Sequence, residues 1–162
     1  MGSLNRLADP LERLARVATI TREYKGDDVT TATRPLVDQL IATYPALSQC
    51  GDYLDFLRTG GGAHVSNQIF SLGIYGFEGY VVASLEERAL LDQDQFFLFG
   101  EFLMLNAADE EKFLFFDIRK SRTPVFWRTA DQPSYRPCSA CFIELLISFA
   151  DGTFCDIRDG RS

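Results

Sequence analysis

Apolar positions change their period along the chain. Leu11, Leu14, Ala15 and Ala18 recur at helical spacing and predict one apolar stripe. Asp9-Pro10-Leu11-Glu12 places a capping residue before a proline at the first helical position, with Glu12 three residues past the cap. Gly26-Asp27-Asp28 and the Thr-rich stretch to Arg34 break this pattern, and Pro35 opens a second helix with Leu36, Val37, Leu40 and Ile41 inward, closed by Pro45. A third, short helix is expected over about residues 52–58, burying Tyr53, Leu54 and Leu57. Gly60-Gly61-Gly62 stops it, because glycine takes the left-handed conformation that a helix end needs.

Beyond Gly62 the texture becomes strand-like. Ile69, Leu72, Ile74 and Tyr75 form a run ending at Gly76, and a short β-prone stretch over 80–83 precedes a helix start at Ser84 that reaches Leu91. Runs over 96–99, 102–105, 113–118 and 124–127 follow, each aromatic or β-branched and bounded by turn residues such as Gly100, Asn106-Ala107-Ala108-Asp109 and Lys120-Ser121-Arg122. Closely spaced strands without crossover helices predict an antiparallel meander. A closing helix is expected from Ser139 to Phe149, with Phe142, Leu145, Leu146 and Phe149 on one face and Asp151-Gly152 at its end. The polar residues 153–162 are expected to form a frayed end or a short edge strand. Helices, then strands, then one helix make an α+β domain spanning 1–162, without repeats or a dividing linker.

Composition narrows the classes. With 162 residues and 46% apolar side chains, 14 of them Phe, the chain can bury a core without a disulfide or metal staple. Sixteen basic against 23 acidic residues leave a net charge of −7. Nucleic-acid binders carry the opposite footprint, although Arg119, Lys120 and Arg122 form a local basic patch. The acidic balance suits a basic protein partner, and it equally serves to keep a domain soluble. Residues 1–20 interleave Asp9, Glu12, Arg13 and Arg16 with leucines, so no secretory leader is expected. No window approaches a membrane span, and a cytoplasmic protein with reduced thiols is expected.

Candidate chemistry is sparse. His64 is the only histidine and follows three glycines, where a loop or strand-start residue bonded to backbone is expected in place of a general base. The glycine triplet lacks the lysine and the strand–loop–helix order of a phosphate cradle. Cys138-Ser139-Ala140-Cys141 has the spacing of zinc and redox sites, and Cys138 would stand before the closing helix, where the helix dipole lowers a thiol pKa. Only Cys50, Cys155 and His64 remain to complete a zinc set, so the structural alternative has Cys141 in the core and Cys138 incidental. The acid pairs Asp27-Asp28, Glu86-Glu87 and Glu110-Glu111 read as solvated charge.

Tyr53-Leu54-Asp55-Phe56-Leu57-Arg58-Thr59 running into the glycine triplet resembles the signature of the SUKH superfamily, a short helix ended by glycines before a strand. Ile74-Tyr75-Gly76, the helix around 84–91 and Phe99-Gly100 are similar to the middle of that family. Phe116-Asp117, Pro124-Val125, Trp127, Tyr135 and the stretch 139–146 resemble its late strands and closing segment. The resemblance covers about residues 45–150, with 1–44 as additional N-terminal helices. It implies a twisted, mainly antiparallel sheet flanked by helices and a role without chemistry: no catalytic set, no cofactor and no metal. Bacterial members look like immunity proteins of polymorphic or contact-dependent toxin systems, and eukaryotic relatives are regulators of cell-wall assembly. The expected partner is a cognate protein toxin, such as a nuclease or another basic effector domain, bound by a monomer or weak dimer without nucleic acid or membrane. Candidate contacts are Tyr80, Asp92, Asp94, Asp109, Glu110 and Glu111. A regulatory protein of the same superfamily and a metal or redox protein built on Cys138 and Cys141 are the alternatives.

Overall fold

Every strand pairs antiparallel with the next. The computed structural model describes residues 6–22, 29–75, 96–105, 110–120 and 122–154, with backbone alone for 29–35. Its seven-stranded sheet has a spatial order equal to its chain order. The strands are β1 (Thr19–Arg22), β2 (Ala63–Ser66), β3 (Phe70–Ile74), β4 (Phe96–Met104), β5 (Lys112–Asp117), β6 (Val125–Arg128) and β7 (Arg136–Ser139). Four α-helices accompany them among the described residues: α1 (Ala8–Val17), α2 (Val29–Thr43), α3 (Gly51–Gly60) and α4 (Phe142–Asp151), with a 3-10 turn at Pro45–Gln49. The architecture is α+β, and the antiparallel meander expected from the strand spacing is present.

Alternation along the strands divides the side chains between two faces. Ala63, Val65, Phe70, Leu72, Ile74, Leu114, Phe116, Val125 and Trp127 meet the helices, and Leu14, Val37, Leu54, Phe56, Leu145 and Phe149 belong to the same core. The helix layer therefore covers one face of the sheet. On the opposite face Tyr75, Leu98, Phe113 and Phe115 form a second buried cluster, against which Phe96 and Tyr135 pack. This two-sided packing explains why every residue of β5 is buried, including Lys112 and Asp117.

A bulge in β4 carries the aromatic side chains to the helices. Phe97 and Phe99 face the helix layer, and after a register shift between Leu98 and Gly100 so do Phe102 and Met104. The sequence predicts two strands parted by a turn at Gly100; the structure has one strand, because a bulge absorbs the extra residue without ending the pairing. Gly100 sits against β3 so closely that a Cβ there would collide with the carbonyl oxygen of Gly73.

Other boundaries move for physical reasons. β1 and β7 are unforeseen: Thr19–Arg22 is too short and too polar to show a period, and Arg136–Ser139 begins with an exposed arginine and proline. α2 begins at Val29, so the Thr-rich stretch is helical and Pro35 lies inside the helix. α1 starts at Ala8 with Leu7 at its cap, which puts Leu7, Pro10 and Leu14 inward and leaves Ala15 exposed. The closing helix starts at Phe142, because Ser139 still pairs with Val125 as the last residue of β7. Gly61 ends α3 at φ 72° and Gly152 ends α4 at φ 74°, where the sequence expects both stops. Phe154, placed by the sequence in a polar tail, is buried and stacks on Phe149 at 4.7 Å. The stretches over 80–83 and 84–91 fall outside the described residues.

Substituting Gly100→Ala is expected to destabilise the fold by about 2–3 kcal/mol, since backbone must move to admit the methyl group. Gly51→Ala, in the first turn of α3 with open space around it, is expected to be neutral or to stabilise by up to about 1 kcal/mol. Urea midpoints at constant m-value measure both.

Candidate functional site

Of the residues singled out as partner contacts, Tyr80, Asp92, Asp94 and Asp109 lie outside the described residues. Glu110 and Glu111 are exposed and immediately precede β5, which starts at Lys112. Their neighbours come from the face of the sheet opposite the helices. Strand register lines up Thr21, His64, Gly73, Glu101, Phe113 and Arg128 as one row across β1 to β6.

Glu101 is the centre of this row. Gly73 has no side chain to hold it off, and the Glu101 chain lies over that gap, its Cγ 3.3 Å from where a Gly73 Cβ would be. The Tyr75 hydroxyl donates to Glu101 Oε2 at 3.3 Å. Glu111 reaches the same carboxylate. Its own carboxyl is held above the usual range, first by loss of solvent, then by the negative charge of Glu101 and the hydrogen bond to it. The reading of Glu110-Glu111 as plain solvated charge holds for Glu110 and is corrected for Glu111. Sequence reasoning missed Glu101 and Tyr75; the available signal was one charged residue inside the apolar run 96–104.

His64 lies in the same row, exposed, and its Nε2 is 2.8 Å from Ser71 Oγ. A side-chain partner stands where a backbone bond is expected, because Ser71 is two residues from His64's own register partner Gly73 and so shares its face.

A cleft of about 900 Å³ opens elsewhere, where the start of α3, the β5–β6 turn and the β7–α4 junction meet. Cys50, Cys138 and Cys141 all line it. Cys50 caps α3 and Cys141 caps α4, each without a side-chain hydrogen bond to the helix. Burial pushes the Cys50 thiol up to about 11, against a smaller opposing effect of its hydrogen bond with Thr123. Burial pushes Cys138 up to about 12, opposed by the Ser139 hydroxyl. The helix-dipole argument for an acidic Cys138 is therefore corrected: Cys138 lies inside β7, three residues before the Cys141 cap of α4, burial raises its thiol, and Cys138, not Cys141, packs on the core. His64 is on the opposite face of the sheet, so the fold separates it from the thiols. Among the described residues no three His, Cys, Asp or Glu side chains are grouped to hold a metal ion. Also among them, no helix is long and apolar enough to cross a membrane.

Chemically, protonated thiols make poor nucleophiles and poor ligands, whereas a carboxylate pair with a phenol beside it is a receptor for a cationic side chain. In comparisons with known proteins, the chain matches no family model, no curated protein and no solved structure.

The raised Glu111 carboxyl carries a signed consequence. The folded state favours the protonated form, so this group's stabilising effect is present below its ordinary pKa and is lost as pH rises through the folded value. Between about pH 4 and pH 7 the wild type is expected to lose stability relative to Glu111→Gln; parallel urea midpoints across that range would contradict it. With a pKa of about 12, roughly one Cys138 thiol in 100,000 is ionised at about pH 7. Iodoacetamide is expected to spare Cys138 in the folded protein and to label it after unfolding, read by peptide mass mapping.

Proposed function

We propose that this protein is a non-catalytic protein-binding domain of the SUKH type, an immunity protein that neutralises a cognate toxin in the cytoplasm by direct binding. The observation that carries the reading is the acidic pair on the face of the sheet opposite the helices. There Glu101 and Glu111 meet within a chain of net charge −7, with Glu110 the next residue along the chain, and none of the three has an ion pair among the described residues. Elsewhere, on the helices, Arg13 is bonded to Asp151, Arg16 to Glu12 and Arg58 to Asp55. Such a surface accelerates encounter with a basic effector domain and repels acidic competitors. The order of a short helix, a glycine stop and a strand, followed by a meander and a closing helix, supports the superfamily placement. Working as a monomer or weak dimer, the domain blocks the toxin by occupancy and makes or breaks no bond.

The test is co-expression with the product of the adjacent gene. A complex that co-purifies and restores growth is expected. Association should slow by about tenfold or more between low and high salt, and also in a Glu110→Lys/Glu111→Lys variant. Absence of both complex and rescue would sink the reading. A complex insensitive to salt and to charge reversal would remove the electrostatic part of it.

A further inference from the structure

Single exposed aliphatic residues are ordinary on a protein surface; a cluster of them is not. Val17, Ile69 and Leu105 are the large hydrophobic residues left exposed among those described, at 45%, 45% and 49% of their possible area. They come from three separate parts of the chain: the end of α1, the β2–β3 turn and the end of β4. The fold brings them to one end of the sheet. Leu105 N–H donates to the Ile69 carbonyl at 2.8 Å, which extends the Phe70–Met104 register by one residue. The Asn67 side chain ties in the third member. Its amide donates to the Val17 carbonyl at 3.0 Å, and its Oδ1 accepts from the N–H groups of Ile69 at 2.7 Å and Phe70 at 3.0 Å. One asparagine thus locks the turn and fastens it to α1. The trio sits on a rigid frame, which lowers the ordering cost of binding.

Charge states what covers it. Continuing the β4–β5 register from Phe102–Lys112 places Glu111 and Glu110 beside the last residues of β4, next to Leu105. On the other flank Arg13 and Arg16 are both neutralised by ion pairs. Lys112 is turned to the helix side and buried over the Phe102 and Trp127 rings, with its ammonium against the Glu110 carbonyl. The sheet end is therefore acidic on its β5 side, where Glu110 and Glu111 border Leu105, and free of uncompensated arginine charge on its α1 side.

We infer that the sheet end formed by Val17, Ile69 and Leu105, with Glu110 and Glu111 at its rim, docks a basic protein segment that presents aliphatic anchors between lysines or arginines. This deepens the protein-binding reading above, on which it rests, by naming the face and the chemistry of the partner. The toxin would place an apolar side chain among the trio and its cations on the two glutamates.

The experiment uses the full chain, isotope-labelled for NMR, titrated with three synthetic amphipathic peptides: Lys/Leu, Glu/Leu and Lys/Ser. The Lys/Leu peptide is expected to shift the amides of Val17, Asn67, Ile69, Leu105, Glu110 and Glu111. It should bind about tenfold or more tighter than either control, and an Ile69→Ser/Leu105→Ser variant with an unchanged thermal midpoint should lose that advantage. Should that variant unfold, Glu110→Lys/Glu111→Lys gives the same readout at exposed positions. Shifts centred on the thiol-lined cleft, equal binding of the Glu/Leu peptide, or equal binding by the variants would overturn the inference. So would a dimer in sedimentation that the serine variant dissociates, since the patch would then belong to a second copy. If the adjacent gene product binds the serine variant as tightly as wild type, this face is wrong and the immunity reading stands. If that product never binds while the peptide map holds, the immunity reading fails and the face stands.

Discussion

The Phe99 and Phe116 rings lie face to face, 4.0 Å apart and 12° from parallel, and Tyr53 meets both edge-on. The same tyrosine ring reaches Phe97 and Phe142, and its hydroxyl bonds to the Tyr75 carbonyl at 3.4 Å. This cluster joins α3, β4, β5 and α4 at one point. Each such pair contributes about 0.5–1.5 kcal/mol beyond the burial of its area. It exists only because β4 bulges at Gly100, which lets Phe99 and Phe102 both turn toward the helices. Close approach of two backbones, permitted by a missing side chain, is the constraint from which the helix layer takes its position.

The consequences extend to charge. β5 is buried on both sides, so its two charged residues, Lys112 and Asp117, are buried with it, and Lys112 lies near the Phe102 and Trp127 rings. Glu110 and Glu111 precede the strand and stay exposed. Glu101, the charged residue of β4, escapes across the gap left by Gly73. Two carboxylates, Glu101 and Glu111, thereby meet on the face of the sheet opposite the helices, where His64 is bonded to Ser71.

The thiol-lined cleft has the opposite character. Bringing Cys50, Cys138 and Cys141 together looks like the start of a reactive centre, yet the burial that gathers two of them also suppresses their ionisation. The α3 and α4 N-termini face the cleft with Cys50 and Cys141 at their caps, while Cys138 stands inside β7, where burial raises its thiol.

Much of the architecture was legible in the sequence. Period and punctuation located α3 with its glycine stop, the end of α4, most of the strands and the α+β order, because those signals are local. Gly61 and Gly152 act through their own φ angles, and Phe142, Leu145, Leu146 and Phe149 act through spacing on one helix. The edge strands β1 and β7 carry no such signal, since they are strands only by virtue of a neighbour to pair with. The bulge at Gly100 read as a turn for the same reason: only the Gly73 carbonyl opposite tells a bend from an ending. Glu110 and Glu111 could be picked out as acids, but the pairing of Glu111 with Glu101, itself bonded to Tyr75, and the placement of both glutamates beside the end of β4, joins positions apart in the chain. Chain order sets what each residue is able to do, and strand register, a property of the folded sheet alone, decides which of them meet.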